Sequence, residues 1–207
     1  IYAEELLAFW FANAPHAKLH ARNLPVFSDG QTSGAADFVV SLNRQVYHIE
    51  LACKYYGGSQ VQDLRGLNPK DTLAGKAAKL VQQLNLLRTP QGRETLTTQA
   101  LPDSPVSVSV VRGIGFFPHG FDAFEPPLNP YGWRGVYIRN WAEYRFERTE
   151  ARYHLLDRMA YLAPARVAET DTLNETEIRR INNGLIAVLE LRPDGFWHET
   201  ERIMKAV

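Results

Sequence analysis

Asp37 and Glu50 are two carboxylates whose spacing can do chemistry. The residues between them read as two strands joined by a tight turn at Asn43-Arg44. If that turn has two residues, the numbers of each cross-strand pair sum to 87, and Asp37 falls opposite Glu50. Both side chains then stand on one face, with Cβ atoms about 4.5–5.5 Å apart. Like charges that close repel unless a cation, a proton or a basic partner lies between them. A divalent metal site is the sharpest explanation, and a pair of structural acids bridged by Arg22 or Lys54 is the bland one.

Period two on the second strand sets Glu50, Ala52 and Lys54 on one face and Ile49, Leu51 and Cys53 on the other. Lys54 lies about 13 Å along an ideal strand from Glu50, but its long stem can reach back. In phosphodiester hydrolysis, a metal held by such acids polarises the phosphate and lowers the pKa of a bound water. A nearby ammonium stabilises the developing negative charge. Magnesium suits oxygen donors of this kind because it accepts few protein ligands and keeps several waters. His48 shares the Glu50 face and can support it from behind.

Other chemistry is less well supported. Cys53 reads as a small core residue rather than a nucleophile. The six histidines show no ligand spacing within a helix, which argues against zinc. Arg112-Gly-Ile-Gly-Phe lacks the third glycine and following helix of a phosphate-binding loop, and reads as a strand with close backbone packing. Tyr55, Tyr56, Trp133, Tyr137 and Trp141 can stack on unpaired bases or fill a core. No Ser-His-Asp arrangement is visible.

These residues need elements to position them. Residues 3–13, with Leu6, Leu7, Trp10 and Phe11 at helical spacing, read as a helix ended by Asn13-Ala14-Pro15, and Glu5 lies near its apolar edge. A short extended segment at 24–28 precedes the Asp29-Gly30 turn, and strands follow over 36–42 and 45–56. Residues 71–87 form the clearest helix, with Leu73, Ala77, Leu80, Leu84 and Leu87 on one side, Asn68-Pro69 before it and Thr89-Pro90 as a stop. Residues 106–117 read as a buried strand. A loop-rich stretch containing Pro126-Pro127 and Asn129-Pro130 leads to the aromatic segment 133–141. A short helix over 175–182, capped by Thr172, Asn174 or Thr176, and a strand over 185–191 come next, while 196–204 fits either state.

The order over residues 3–117 is helix, three-strand meander, helix, strand, which is one compact α/β unit. Residues 118–207 read as an α+β extension packed on it, within the same globular unit. The chain has 207 residues, 45% of them apolar, and 23 basic against 23 acidic side chains, so net charge carries no signal for a polyanionic partner. Residues 61–100 hold six Lys or Arg against three Asp or Glu, a local balance of plus three. A single cysteine excludes an internal disulfide and fits a reducing compartment, so a cytoplasmic location is expected. No apolar run approaches the ~20 residues needed to span a bilayer. Because Ile1 opens what reads as a helix interior, a truncated or processed N-terminus is expected.

The stretches Glu5-Leu-Leu-Ala-Phe-Trp, Gly34-Ala-Ala-Asp37-Phe38 and His48-Ile-Glu50-Leu-Ala-Cys-Lys54-Tyr-Tyr-Gly57 resemble the bacterial domain-of-unknown-function 1853 family. So does the run from Asn68-Pro69 through Asp71, Leu73, Lys76, Leu80 and Gln83-Leu84, with weaker similarity at Leu128-Asn129-Pro130 and from Trp197 to Arg202. That family is in turn similar to the PD-(D/E)xK superfamily of restriction-endonuclease-like nucleases. The resemblance implies that Asp37 and Glu50 bind metal and that Glu5 is an acid supplied by the first helix. It also implies that Gln83 is a helix glutamine contacting the active site. The lysine two residues after Glu50 is missing, because Ala52 stands there. Lys54, Lys76 or Lys79 would have to act from a displaced position.

The leading expectation is a Mg2+- or Mn2+-dependent nuclease acting on nucleic acid, with Asp37 and Glu50 as ligands, Lys54 as electrostatic helper, and Glu5 and Gln83 orienting metal or water. The second is a catalytically inactive module of the same fold that binds nucleic acid or a protein partner, using the basic helix and exposed aromatics. A purely structural subunit is a third. No membrane association is expected, and the sequence sets no oligomeric state.

Overall fold

The computed structural model describes residues 2–123 and 128–207, so the Pro126-Pro127 loop lies outside the described residues. The protein is mixed α/β, and the described residues form nine strands in one hydrogen-bonded sheet and four α-helices. The chain forms two compact units, 1–53 with 74–112 and 54–73 with 113–207. Residues 54–73 thus group with the C-terminal part of the chain in the second unit.

In the first unit, helix α1 (Tyr2–Asn13) precedes an antiparallel meander of β1 (Ala17–Ser28), β2 (Gln31–Leu42) and β3 (Gln45–Gly57), of which residues up to 53 belong here. The first strand is far longer than the expected 24–28. The β2–β3 turn is the two-residue one anticipated: Asn43 and Arg44 have φ values of 47° and 72°, which suits the right-handed twist of a hairpin. The register Phe38↔Ile49 to Leu42↔Gln45 follows from it. Its alternation separates two apolar clusters. Phe38, Val40 and Ile49 bury Ala8 and Phe11 of α1, with Phe11 and Phe38 rings edge-on at 5.4 Å. Leu24, Val26 and Val39 pack with Leu87 and Leu96. Full burial of each such side chain stabilises by about 1.5–3 kcal/mol.

Helix α2 (Leu73–Asn85) has the expected amphipathic pattern, yet none of its residues is buried. A 3-10 turn, Leu86–Arg88, continues it and buries Leu87. Thr89-Pro90 does end this segment, but it also starts α3 (Pro90–Thr98), which the sequence reading missed. The Thr89 side chain accepts the Gly92 N–H at 3.0 Å, and proline at the first helical position has no N–H to leave unpaired. Gly92 is required here because a Cβ would sit 2.2 Å from the Leu86 carbonyl oxygen.

Strand β4 (Val106–Phe117) passes from the first unit to the second at Gly113. In the second unit its end pairs in parallel with β5 (Trp133–Ile138), and β5 pairs in parallel with β9 (Trp197–Lys205). Antiparallel partners then follow: β8 (Gly184–Leu191) on β9, β6 (Arg152–Leu155) on β8, and the two-residue β7 (Arg166–Val167) on β9. The ambiguous C-terminal segment is therefore a strand. Helix α4 (Glu175–Ile178) takes Asn174 as its cap among the three candidates, because Glu177 completes a reciprocal capping box. No helix among the described residues is long and apolar enough to cross a membrane.

Candidate functional site

The β2–β3 register runs as far as Phe38↔Ile49, and one step beyond it Asp37 and Glu50 join the strands through their side chains. The Asp37 N–H donates to Glu50 Oε1 at 3.3 Å, and the Leu51 N–H donates to Asp37 Oδ2 at 2.8 Å. Each carboxylate thus accepts a backbone N–H from the opposite strand. Extended by one step, the register that the turn sets puts Asp37 opposite Glu50, and these two bonds link them.

Glu50 is 1% exposed, so its charge needs partners. His48 Nε2 meets Oε1 at 2.8 Å, and the Gln83 amide on α2 donates to Oε2 at 2.7 Å. His48, fully buried, is held in turn by Ser107 Oγ on β4, 3.3 Å from Nδ1. A carboxylate offers about four acceptor positions, and three of these are used, which leaves one on Oε2. Asp37 Oδ1 makes no hydrogen bond among the described residues. Gln83 Oε1 is buried without a partner. Three oxygen acceptors with spare capacity therefore belong to side chains joined through Glu50.

Burial is the main cause raising the Asp37 pKa above the ordinary carboxylate value; the Leu51 N–H opposes it, and the Glu50 charge adds to it. Glu4 raises it further and Lys76 lowers it. The α1 acid felt at Asp37 is thus Glu4. The expected one, Glu5, is gripped by both terminal nitrogens of Arg22 at 2.8 and 2.5 Å, which holds its pKa down. One residue along a helix rotates a side chain by about 100°, so adjacent glutamates meet different neighbours.

Lys54 belongs to the second unit. Its ammonium bonds Asp71 Oδ2 at 2.5 Å, and the Tyr56 hydroxyl donates to Asp71 Oδ1 at 2.9 Å. Ala52 is 3% exposed. Neither residue presents a free cation.

The remaining candidates have other surroundings. Cys53 is half-buried with its thiol pKa pushed up by burial, which disfavours the reactive thiolate. The Gly113 Cβ would lie 1.6 Å from the Lys54 carbonyl oxygen, which makes the Arg112-Gly-Ile-Gly run a strand in close backbone contact. Tyr56, Tyr137 and Trp141 are buried, and Tyr55 packs on Tyr161, while Trp133 stays 62% exposed. Among the described residues no group of three or more His, Cys, Asp or Glu side chains is disposed to hold a metal.

Sequence reasoning missed Ser107, Glu4 and the Lys54–Asp71 pair. Period two could have placed Ser107 on one face of its strand, but no local pattern names its partner. No curated protein and no solved structure matches the chain. A family model, "Domain of unknown function (DUF1853)", matches residues 1–205. The chain therefore belongs to the DUF1853 family.

Proposed function

We propose that this protein is a divalent-cation-dependent nuclease-like hydrolase of phosphodiester bonds in nucleic acid, centred on Asp37, Glu50 and Gln83. The observation that carries this reading is the pair of facing carboxylates, each tied to the backbone of the other's strand. The order α1, β1–β3, α2, α3 and β4, which has one helix more than the expected core, supports the same reading together with the resemblance to restriction-endonuclease-like nucleases.

The donor set fits a hard cation. Asp37 Oδ1 and the spare position on Glu50 Oε2 are anionic oxygens, and Gln83 Oε1 is a buried oxygen lacking a partner. Two or three protein oxygens and a remainder of water suit Mg2+ or Mn2+. When bound, the cation would supply Lewis acidity and a more acidic water. The protein's part is positional. His48 and Gln83 hold the Glu50 carboxylate in one orientation, and the Leu51 N–H does the same for Asp37. In the reaction a water oxygen bonds to phosphorus as the ester P–O bond breaks. The attacking water's proton goes to solvent, and the departing oxygen takes one up.

A second reading is favoured by two specific observations: Ala52 leaves no lysine beside Glu50, and Lys54 is bound to Asp71. On it, the module binds nucleic acid without cutting it.

Calorimetry with Mn2+ or Ca2+ on the wild type and Asp37→Ala, followed by cleavage assays with single- and double-stranded DNA and RNA in Mg2+, tests both. Binding lost in the variant and cleavage by the wild type are expected. Binding of oligonucleotide without cleavage selects the second reading, and equal cation binding in both proteins removes the metal site.

A further inference from the structure

The segment Tyr144-Arg-Phe-Glu147 alternates ring and charge, so a backbone that is extended from Tyr144 onward turns its rings one way and its charges the other. Tyr144 is buried and Phe146 packs beside it, their rings edge-on at 4.9 Å, while Arg145 and Glu147 stay exposed. Strand β6 follows and sends Tyr153 into the same core, among Val136, Ile186 and Val188. All of these residues belong to the second unit. Two cavities of about 230 and 220 Å³ open here, and Arg148, Ala151 and Tyr153 line both. Together they have the size of a small-molecule site.

Tyr153 is 2% exposed, and its ring stands edge-on to Phe146 at 5.7 Å. Packing alone would be served by phenylalanine. The hydroxyl makes no hydrogen bond among the described residues, although polar groups this deep are ordinarily paired. With the ring held in the core, the hydroxyl is the end that faces the cavities. Burial first, then the Glu175 charge, with Arg179 opposing and Glu201 adding, raises its pKa to about 12, so it keeps its proton and can donate as well as accept. Glu175 lines the first cavity and Glu201 the second, which sets the hydroxyl where the two meet.

The charges around this hydroxyl are of both signs, and several have bonds to spare. Arg148 donates from Nη1 alone, to Glu190 and to Thr200 Oγ1, so its other N–H groups are unspent among the described residues. Glu201 accepts the Tyr144 hydroxyl on Oε2 at 2.8 Å and leaves Oε1 without a partner there. Arg145 and Glu147, which also line the second cavity, make no hydrogen bond or ion pair among the described residues. Arg152 lines the first cavity, but its guanidinium lies 5.9 Å from the ring of Trp197, in a different core cluster from Tyr153, and Glu175 is taken by Arg179. The second cavity thus has two guanidiniums and two carboxylates above a floor of Ala151 and Val188, both buried. A lone anion meets the glutamates and a lone cation meets the arginines. A ligand that carries both charges satisfies both.

We propose that this cleft binds a free α-amino acid with an aliphatic side chain. Arg148 takes its carboxylate, the spare oxygen of Glu201 takes its ammonium, the Tyr153 hydroxyl bonds between them, and the side chain lies on Ala151 and Val188. The cleft shares no residue with the Asp37–Glu50 pair, so it stands or falls apart from the nuclease reading.

The test is calorimetry with thermal melts on the full chain, in wild type, Tyr153→Phe, Glu201→Gln and Asp37→Asn. The probes are L-leucine, L-leucinamide, which lacks the carboxylate, and N-acetyl-L-leucine, which lacks the ammonium. L-leucine is expected to bind the wild type and raise its melting temperature, and each analogue to bind about ten-fold or more weakly. Tyr153→Phe should melt at least as high as wild type without ligand, yet bind L-leucine about two- to ten-fold more weakly. Glu201→Gln keeps an acceptor for Tyr144 but removes the charge, and should lose the preference for L-leucine over N-acetyl-L-leucine. Asp37→Asn should bind L-leucine as wild type does.

Absence of L-leucine binding overturns the proposal, as does binding of either analogue as tightly as L-leucine. Undiminished L-leucine affinity in both Tyr153→Phe and Glu201→Gln places the ligand outside the cleft and overturns it too. Loss of binding in Asp37→Asn would move the ligand to the carboxylate pair, with the same result.

Discussion

Gln83 on helix α2 donates its side-chain amide to Glu50 Oε2 on strand β3 at 2.7 Å, while its own carbonyl oxygen is buried without a partner. Half of this amide is therefore satisfied and half is not. An unsatisfied buried acceptor costs about 1–3 kcal/mol unless something meets it. The helix that carries Gln83 has no buried residue, and this bond ties it to the carboxylate pair. A cation beside Glu50 would give Gln83 Oε1 a partner.

Asp37 makes stability depend on pH with a definite sign. Its pKa is raised in the folded protein, chiefly by burial, so the folded state holds this proton more tightly than the unfolded chain. The contribution is fully present below the unfolded carboxylate value of about 3.9 and is lost as pH rises through the folded pKa. Asp37→Asn keeps an acceptor for the Leu51 N–H and removes the charge. Without divalent cation, the variant should melt higher than wild type at pH 7, and the advantage should disappear by about pH 4. A gap that stays constant across this range would show that the Asp37 charge is not the cause.

His48 is predicted to matter through Glu50. His48→Phe fills the space but removes the donor to a buried carboxylate, at a cost of about 1–3 kcal/mol. Ser107→Ala removes only the hydroxyl behind the ring and should cost less, about 0.5–1.5 kcal/mol. Urea denaturation of both variants checks the order. A larger loss for Ser107→Ala would mean that the ring–carboxylate bond is the minor one.

The register that aligns Asp37 with Glu50 depends on the turn, and Arg44 occupies it at a φ of 72°, where a side chain is strained. Arg44→Gly should relieve about 0.5–1 kcal/mol without moving the site, because the Asn-Gly pair favours the same turn. The readout is a higher urea midpoint with an unchanged slope. A lower midpoint would show that the arginine side chain makes a stabilising contact that outweighs the strain.

The order of residues alone specifies the hairpin, its two-residue turn and the opposition of Asp37 and Glu50. These follow from local sterics, since a tight turn fixes the register and a strand alternates its faces with period two. It also determined the amphipathic helix carrying Lys76 and Gln83, because helical spacing is a local property. Which partner each charge takes is set by how the elements pack. Glu5 and Arg22, and Lys54 and Asp71, are each 17 residues apart, and His48 and Ser107 are 59 apart. Such pairs form only after the elements dock, and the angle at which a helix meets its strand selects Glu4 over Glu5 to act on Asp37. A local pattern places a residue on a face, but packing decides what lies opposite it.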